Sequence, residues 1–93
     1  MRANKLRSLI QEDKPSFGIN LTVDSPDIVE IIGKTGLVDY IEFEAEYMPY
    51  SLHSLDNIAR TTELYEMSTM IKLDKENQGF TANRAIGSGF QNI

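Results

Sequence analysis

Apolar stretches that suit strands and apolar stretches that suit helices take turns along this chain, and that order constrains its fold more than any other feature. Residues 4–13 carry Leu6, Leu9 and Ile10 at helical spacing, and Pro15 marks the break after them. Residues 17–23 (FGINLTV) form a short apolar run rich in strand formers. Ser25-Pro26-Asp27 then reads as a helix start. The Ser hydroxyl accepts from an orphan N–H, Pro has no N–H to leave unpaired, and Asp favours the positive end of the dipole. Ile28, Ile31 and Ile32 are expected to form the buried stripe of that helix, with Gly36 as a left-handed stop. Residues 39–47 alternate strictly, Ile41, Phe43 and Ala45 on one side and Glu42, Glu44 and Glu46 on the other, which predicts a second strand. A helix is expected over about 54–67, facing the core with Leu55, Ile58, Ala59 and Thr62 and flanked by Tyr65. Residues 68–74 read as a third strand and 80–86 as a short helix ended by Gly87 and Gly89. Residues 89–93 look like the entry into a fourth strand.

Strand–helix–strand–helix order implies a parallel sheet with right-handed crossovers. Such a sheet needs both faces covered, and the helices supply one cover. In a closed (β/α)8 barrel the second face is the barrel interior, and a barrel takes about 250 residues. This chain has 93. The expected fold class is therefore α/β, the N-terminal three to three-and-a-half βα units of a TIM barrel. Residues 1–93 are read as a single partial domain.

Composition narrows the function. Hydrophobic residues make up 41% and charged residues 25%, ordinary globular usage. Fourteen acids against nine bases give a net charge of −5, which argues against a nucleic-acid backbone as partner, since phosphate contacts need clustered Lys and Arg. No apolar run approaches the length of a membrane span and no charged-then-apolar leader opens the chain, so neither is expected and the location defaults to the cytoplasm. Cysteine is absent, which excludes a disulfide framework and a thiolate zinc site. With a single His, a metal site would have to be built from carboxylates.

The opening NKLR, the stretch FGINLTVDSPDIVEIIGKTGLVDYIEFEAEYMPYSL, the third strand and the closing AIGSGFQNI together resemble the N-terminal part of the HpcH/HpaI aldolase family. These are metal-dependent, pyruvate-specific aldolases related to the citrate lyase β-subunit group. The resemblance implies retro-aldol cleavage of a 4-hydroxy-2-oxo acid to pyruvate and an aldehyde, with Mg²⁺ or Mn²⁺ polarising the keto acid. It implies a small-molecule oxo acid as partner and a homo-oligomer whose sites border neighbouring subunits. The departures are pointed. The family's Asp–x–Glu–His box falls on Glu44, Ala45, Glu46 and Tyr47, so its His is replaced by a phenol. The arginine that holds the α-keto acid falls on Lys72. The metal-ligating Glu and Asp of the family belong to later strands, so no metal ligand is expected in this chain.

The residues themselves leave alternatives open. Glu42, Glu44 and Glu46, about 6.8 Å apart in successive pairs on an extended strand, form either a solvated face or a coupled acid cluster with at least one raised pKa, poised for proton transfer or for binding a divalent cation. On the interior of a barrel the second is favoured, because unpaired buried carboxylates are costly. Lys72 is expected on the same side of the sheet. It can pair with Glu42 or Glu44, contact a substrate carboxylate as a point charge, or act as a Schiff-base lysine, which needs a lowered pKa. Tyr47 follows the C-terminal end of a strand, where barrel sites assemble. It is either an aromatic cap on the mouth or a hydrogen-bond donor and proton relay. His53 at a helix start reads as a surface residue. Gly87-Ser88-Gly89 follows a helix, the wrong end for a phosphate loop.

Two functions compete. One is a carbon–carbon lyase in which Glu44 is the positioning acid, Tyr47 the donor or relay, and Lys72 with Glu46 the substrate contacts. The other is a non-catalytic, barrel-derived interaction or assembly module, favoured by the loss of the His–Arg pair. A complete 93-residue α/β binding domain is weakened by the missing fourth strand.

Overall fold

The computed structural model describes residues 2–93. Its elements follow in the order α1 (Lys5–Gln11), β1 (Gly18–Leu21), α2 (Pro26–Lys34), β2 (Tyr40–Phe43), α3 (Leu52–Leu64), β3 (Ser68–Ile71) and α4 (Gln78–Ser88). The three strands form one parallel sheet in the order β1-β2-β3. Gly18 stands beside Tyr40 and Tyr40 beside Ser68, so the sheet is in step from its first residues.

Side-chain parity sorts the sheet into two faces. Leu21, Ile41, Phe43 and Ile71 lie on the face that packs against Val29 of α2, Leu55, Ile58 and Ala59 of α3 and Ala85 of α4. Phe43 is fully buried at the centre, edge-on to Tyr50 at 5.9 Å and tilted against Phe90 at 6.4 Å. The opposite face carries Gly18, Asn20, Tyr40, Glu42 and Met70, none of them fully buried, together with Ser68, which α1 covers. None of α2, α3 and α4 supplies the core from that side.

Helix α1 closes the N-terminal end of the sheet. The Leu6 N–H donates to Ser68 Oγ at 3.0 Å, Arg2 donates to the Met67 carbonyl at 3.1 Å, and Lys5 pairs with Asp39 at 2.9 Å. After α4, Gly89 takes the left-handed conformation (φ 117°), as glycine allows, and turns the chain back towards β3. Asn92 then bridges Met70 in parallel, its N–H donating to Thr69 O and its carbonyl accepting from Ile71 N, both at 3.0 Å. The expected entry into a fourth strand is present as that single bridge.

Three expectations need correction. The buried residue of α2 is Val29, with Ile32 partly covered; Ile28 and Ile31 are 40% and 62% exposed. The helix turns its Val29–Gly33 side inward because the Tyr65 ring lies where a β-carbon on Gly33 would stand. The alternation over 39–47 does not persist as a strand. β2 ends at Phe43, and Tyr47 N–H donates back to Glu44 O at 3.1 Å, closing a turn. Finally, α4 begins at Gln78 and runs through Gly87, with Gly89 alone ending it.

Candidate functional site at the C-terminal end of the strands

The C-terminal ends of β1, β2 and β3 lie together because the strands are parallel and in step, and the loops leaving them bring the chemically capable side chains to one end. These loops are well tied. Ser51 and Ser54 form a reciprocal cap on α3, and Ser54 Oγ also donates to Asp24 in the loop after β1. Glu46 N–H donates to Lys72 O and Lys72 N–H to Phe43 O, at 3.0 and 2.9 Å, which carries the β2–β3 pairing past the last strand residues.

Glu44 follows Phe43 and is only 6% exposed. Burial is the main reason its carboxyl is held above the usual range; repulsion from Glu42, hydrogen bonding with Glu42 and repulsion from Glu46 add to this, and Lys72 opposes it. Glu42 shares its side of the sheet. Glu46 does not continue that face, because it sits in the turn, where it is exposed.

Lys72 directly follows the last residue of β3, and its backbone N–H still pairs with Phe43 O. Its ammonium donates to the Tyr47 phenol oxygen at 3.2 Å and lies 4.7 Å from the centre of that ring. Its ion-pair partner is Glu46, at 3.9 Å, in place of the expected Glu42 or Glu44. The hydrogen bond to Tyr47 is the chief reason its pKa is raised, with the charges of Tyr47, Glu46 and Glu44 adding to it. That direction opposes the Schiff-base reading, which needs a neutral amine. Tyr47 is 68% exposed and so presents its hydroxyl at the rim. His53 is exposed in the first turn of α3.

Among the described residues, no group of three or more His, Cys, Asp or Glu side chains is arranged to hold a metal ion. The glutamates present do not fit one well. Glu44 is biased towards its neutral form, and the Lys72 ammonium occupies the position beside Glu46 where a cation would have to compete.

Beside this group lies an open cleft of about 460 Å³ between the β2–α3 loop and the start of α4, lined by Glu46, Tyr50, Asp74, Asn77, Phe80 and Thr81. Tyr50 Oη and Thr81 Oγ1 are 3.2 Å apart and brace its floor. Apart from Glu46, the sequence reading missed these residues. They come from two loops and a helix start with no shared motif, and the only available signal was their position after predicted strands.

No family model matches the chain, and no curated protein matches it. Solved structures do. The HpcH/HpaI aldolase from Desulfitobacterium hafniense DCB-2 superposes with a TM-score of 0.81 at 21% identity, over 95% of this chain and 34% of that one. The citrate synthase SbnG gives 0.83 at 15% identity, over 92% and 34%, and a variant of that synthase gives 0.77 at 15%, over 91% and 35%. The chain thus spans about a third of the length of each. At these identities the likeness is one of fold, and the fold is that of about a third of an HpcH/HpaI aldolase, the family the sequence resembles.

Proposed function

We propose that residues 1–93 are a partial domain, the first βα units of a closed barrel, and that the barrel is a carbon–carbon lyase of the aldolase type. Its reaction would cleave or form 4-hydroxy-2-oxo acids through a pyruvate enolate. The observation that carries this reading is the gathering of Glu44, Glu46, Tyr47 and Lys72 at the C-terminal strand ends of a fold shared with an aldolase. In barrels that end holds the active site.

Lys72 contacts the substrate carboxylate, as a point charge where an arginine would grip with two parallel bonds. Glu46 steadies the ammonium from the other side and borders the substrate. Tyr47 accepts from Lys72, which leaves its own O–H free to donate to a substrate oxygen. Retro-aldol cleavage breaks the C3–C4 bond, removes the proton from the 4-hydroxyl and returns one to C3, with no net proton consumed. Tyr47 is the relay for that transfer, and Glu44 is the positioning acid behind it. Mg²⁺ or Mn²⁺, which the family resemblance brings with it, has no donor set in these residues, and no step here runs through it. A cytoplasmic homo-oligomer acting on a small oxo acid, with neither nucleic acid nor membrane as partner, completes the proposal.

The substitution of the family's His and Arg by Tyr47 and Lys72 favours a second reading, a barrel-derived interaction module without turnover. Assaying the complete gene product with Mg²⁺ or Mn²⁺ against a panel of 4-hydroxy-2-oxo acids separates the two. Pyruvate release that stops with chelator supports the lyase. Silence across the panel supports the module.

A further inference from the structure

The cleft beside Glu46 is chemically distinct from the Lys72–Tyr47 pair. Its polar lining consists of two carboxylates, Glu46 and Asp74, the Asn77 amide and the hydroxyls of Tyr50 and Thr81; no lysine or arginine lines it. Asp74 takes part in no ion pair among the described residues and receives only a long contact, 3.5 Å, from Asn77. Arg84 on α4 is turned to the Phe80 ring, 5.2 Å from its centre. Asp74 is unpaired among the described residues, and the one ion-pair partner of Glu46, Lys72, lies outside the lining; carboxylates so placed accept hydrogen bonds and repel anions. The rings of Tyr50 and Phe80, the latter 58% exposed, add apolar faces on which a carbon skeleton can rest.

Glu46 joins this cleft to the other half of the site. Its side chain lines the cleft while its carboxylate lies 3.9 Å from Lys72. A substrate whose carboxylate end meets Lys72 would therefore extend its far end past Glu46 into the cleft. We infer that this cleft holds the aldehyde half of the substrate, and that it selects hydroxylated, uncharged aldehydes against those carrying a carboxylate or phosphate. The inference rests on the lyase reading for its orientation. The hydroxyls would donate to Asp74 and Glu46, and an anionic group would meet both carboxylates while Lys72 is engaged by the carboxylate end of the same substrate.

Saturation-transfer NMR on the complete gene product tests it with unreactive probes: erythritol for the hydroxylated half and glycerol 3-phosphate for an anionic one. Pyruvate in the same sample reports separately on Lys72. The expected result is transfer to erythritol and none to glycerol 3-phosphate, with Asp74→Asn weakening erythritol by about tenfold. Asp74 stands in a loop with one weak contact, so the variant should fold, and Thr81→Val serves as an independent second variant. No transfer to erythritol, equal transfer to the phosphate ester, or indifference to both substitutions would overturn the inference. Pyruvate transfer lost in Lys72→Met alongside a silent erythritol leaves the lyase reading standing and removes only the cleft. A responding cleft with silent pyruvate keeps a polyol site and removes the lyase orientation.

Discussion

Lys72 Nζ stands 3.2 Å from the Tyr47 phenol oxygen and 4.7 Å from the centre of the same ring. One ammonium thus uses both the lone pair and the π-face of one tyrosine, and Glu46 approaches it from a third direction at 3.9 Å. The phenol accepts from Lys72, so its proton points elsewhere, and the exposed rim offers one direction for it. Two donors, an ammonium N–H and a phenol O–H, are presented side by side at the strand ends.

That arrangement separates the effects of two substitutions. On the proposed lyase reading, Lys72→Met should raise KM for the oxo acid by about tenfold with a smaller change in kcat, because it would remove a contact made before and during cleavage. Lys72→Arg should restore part of it. Tyr47→Phe should lower kcat more than it raises KM, since the lost O–H serves the proton transfer. Steady-state kinetics of the complete gene product read all three, and a Tyr47→Phe enzyme with unchanged kcat would remove the relay.

Glu44 makes a pH prediction. Its folded pKa is raised, first by burial and then by Glu42. The folded state therefore holds its proton more tightly than the unfolded state. The favourable contribution is fully present below the unfolded value and is lost as pH rises through the folded pKa. Where the carboxyl is ionised its burial is a net cost, so Glu44→Gln should stabilise the protein at neutral pH. The gain should shrink towards acid pH. Thermal unfolding of both proteins from acid to neutral pH checks the sign.

Asp39 works in the opposite sense. Its Oδ2 accepts from Phe17 N–H at 2.9 Å and its Oδ1 meets Lys5, also at 2.9 Å, and its pKa is lowered chiefly by the Phe17 bond. It contributes stability above the unfolded carboxylate pKa, lost as pH falls through the folded value. Asp39→Asn should cost roughly 1–2 kcal/mol at neutral pH and close to nothing in strong acid. A denaturant midpoint measured at both pH values decides it.

Gly18 and Tyr40 are neighbours across β1 and β2, and a β-carbon on Gly18 would fall 2.1 Å from Tyr40 Cζ. Gly18→Ala should therefore displace the ring and cost roughly 1–3 kcal/mol. In a Tyr40→Ala background the same change should cost little. A double-mutant cycle without coupling would contradict this packing.

The sequence made the helical stripe of α3 legible, because Leu55, Ile58, Ala59 and Thr62 recur at one clear period over a 13-residue helix. It made Met70 and Glu42 legible as facing one way, because strand parity is rigid. It misled where the pattern outran the backbone. Glu44, Ala45 and Glu46 keep alternating after β2 has ended, and nothing in residue type announces the turn closed by Tyr47 N–H. In α2 the competing isoleucines all satisfy helical spacing, and the choice of Val29 depends on a contact between Gly33 and Tyr65 far along the chain. The cleft residues Asp74, Asn77 and Thr81 acquire their relation to Tyr50 only through folding.

On the proposed reading, the face bearing Gly18, Asn20, Tyr40, Glu42 and Met70 would be the interior of a larger barrel. Parallel sheets are covered on both sides, and an open edge at β1 invites pairing. Sedimentation velocity of residues 1–93 alone tests this most directly. The expected result is an associating species or an expanded chain, because most of that face and the β1 edge have no cover. A single compact monomer across the concentration range would contradict it and restore a small, self-sufficient α/β domain.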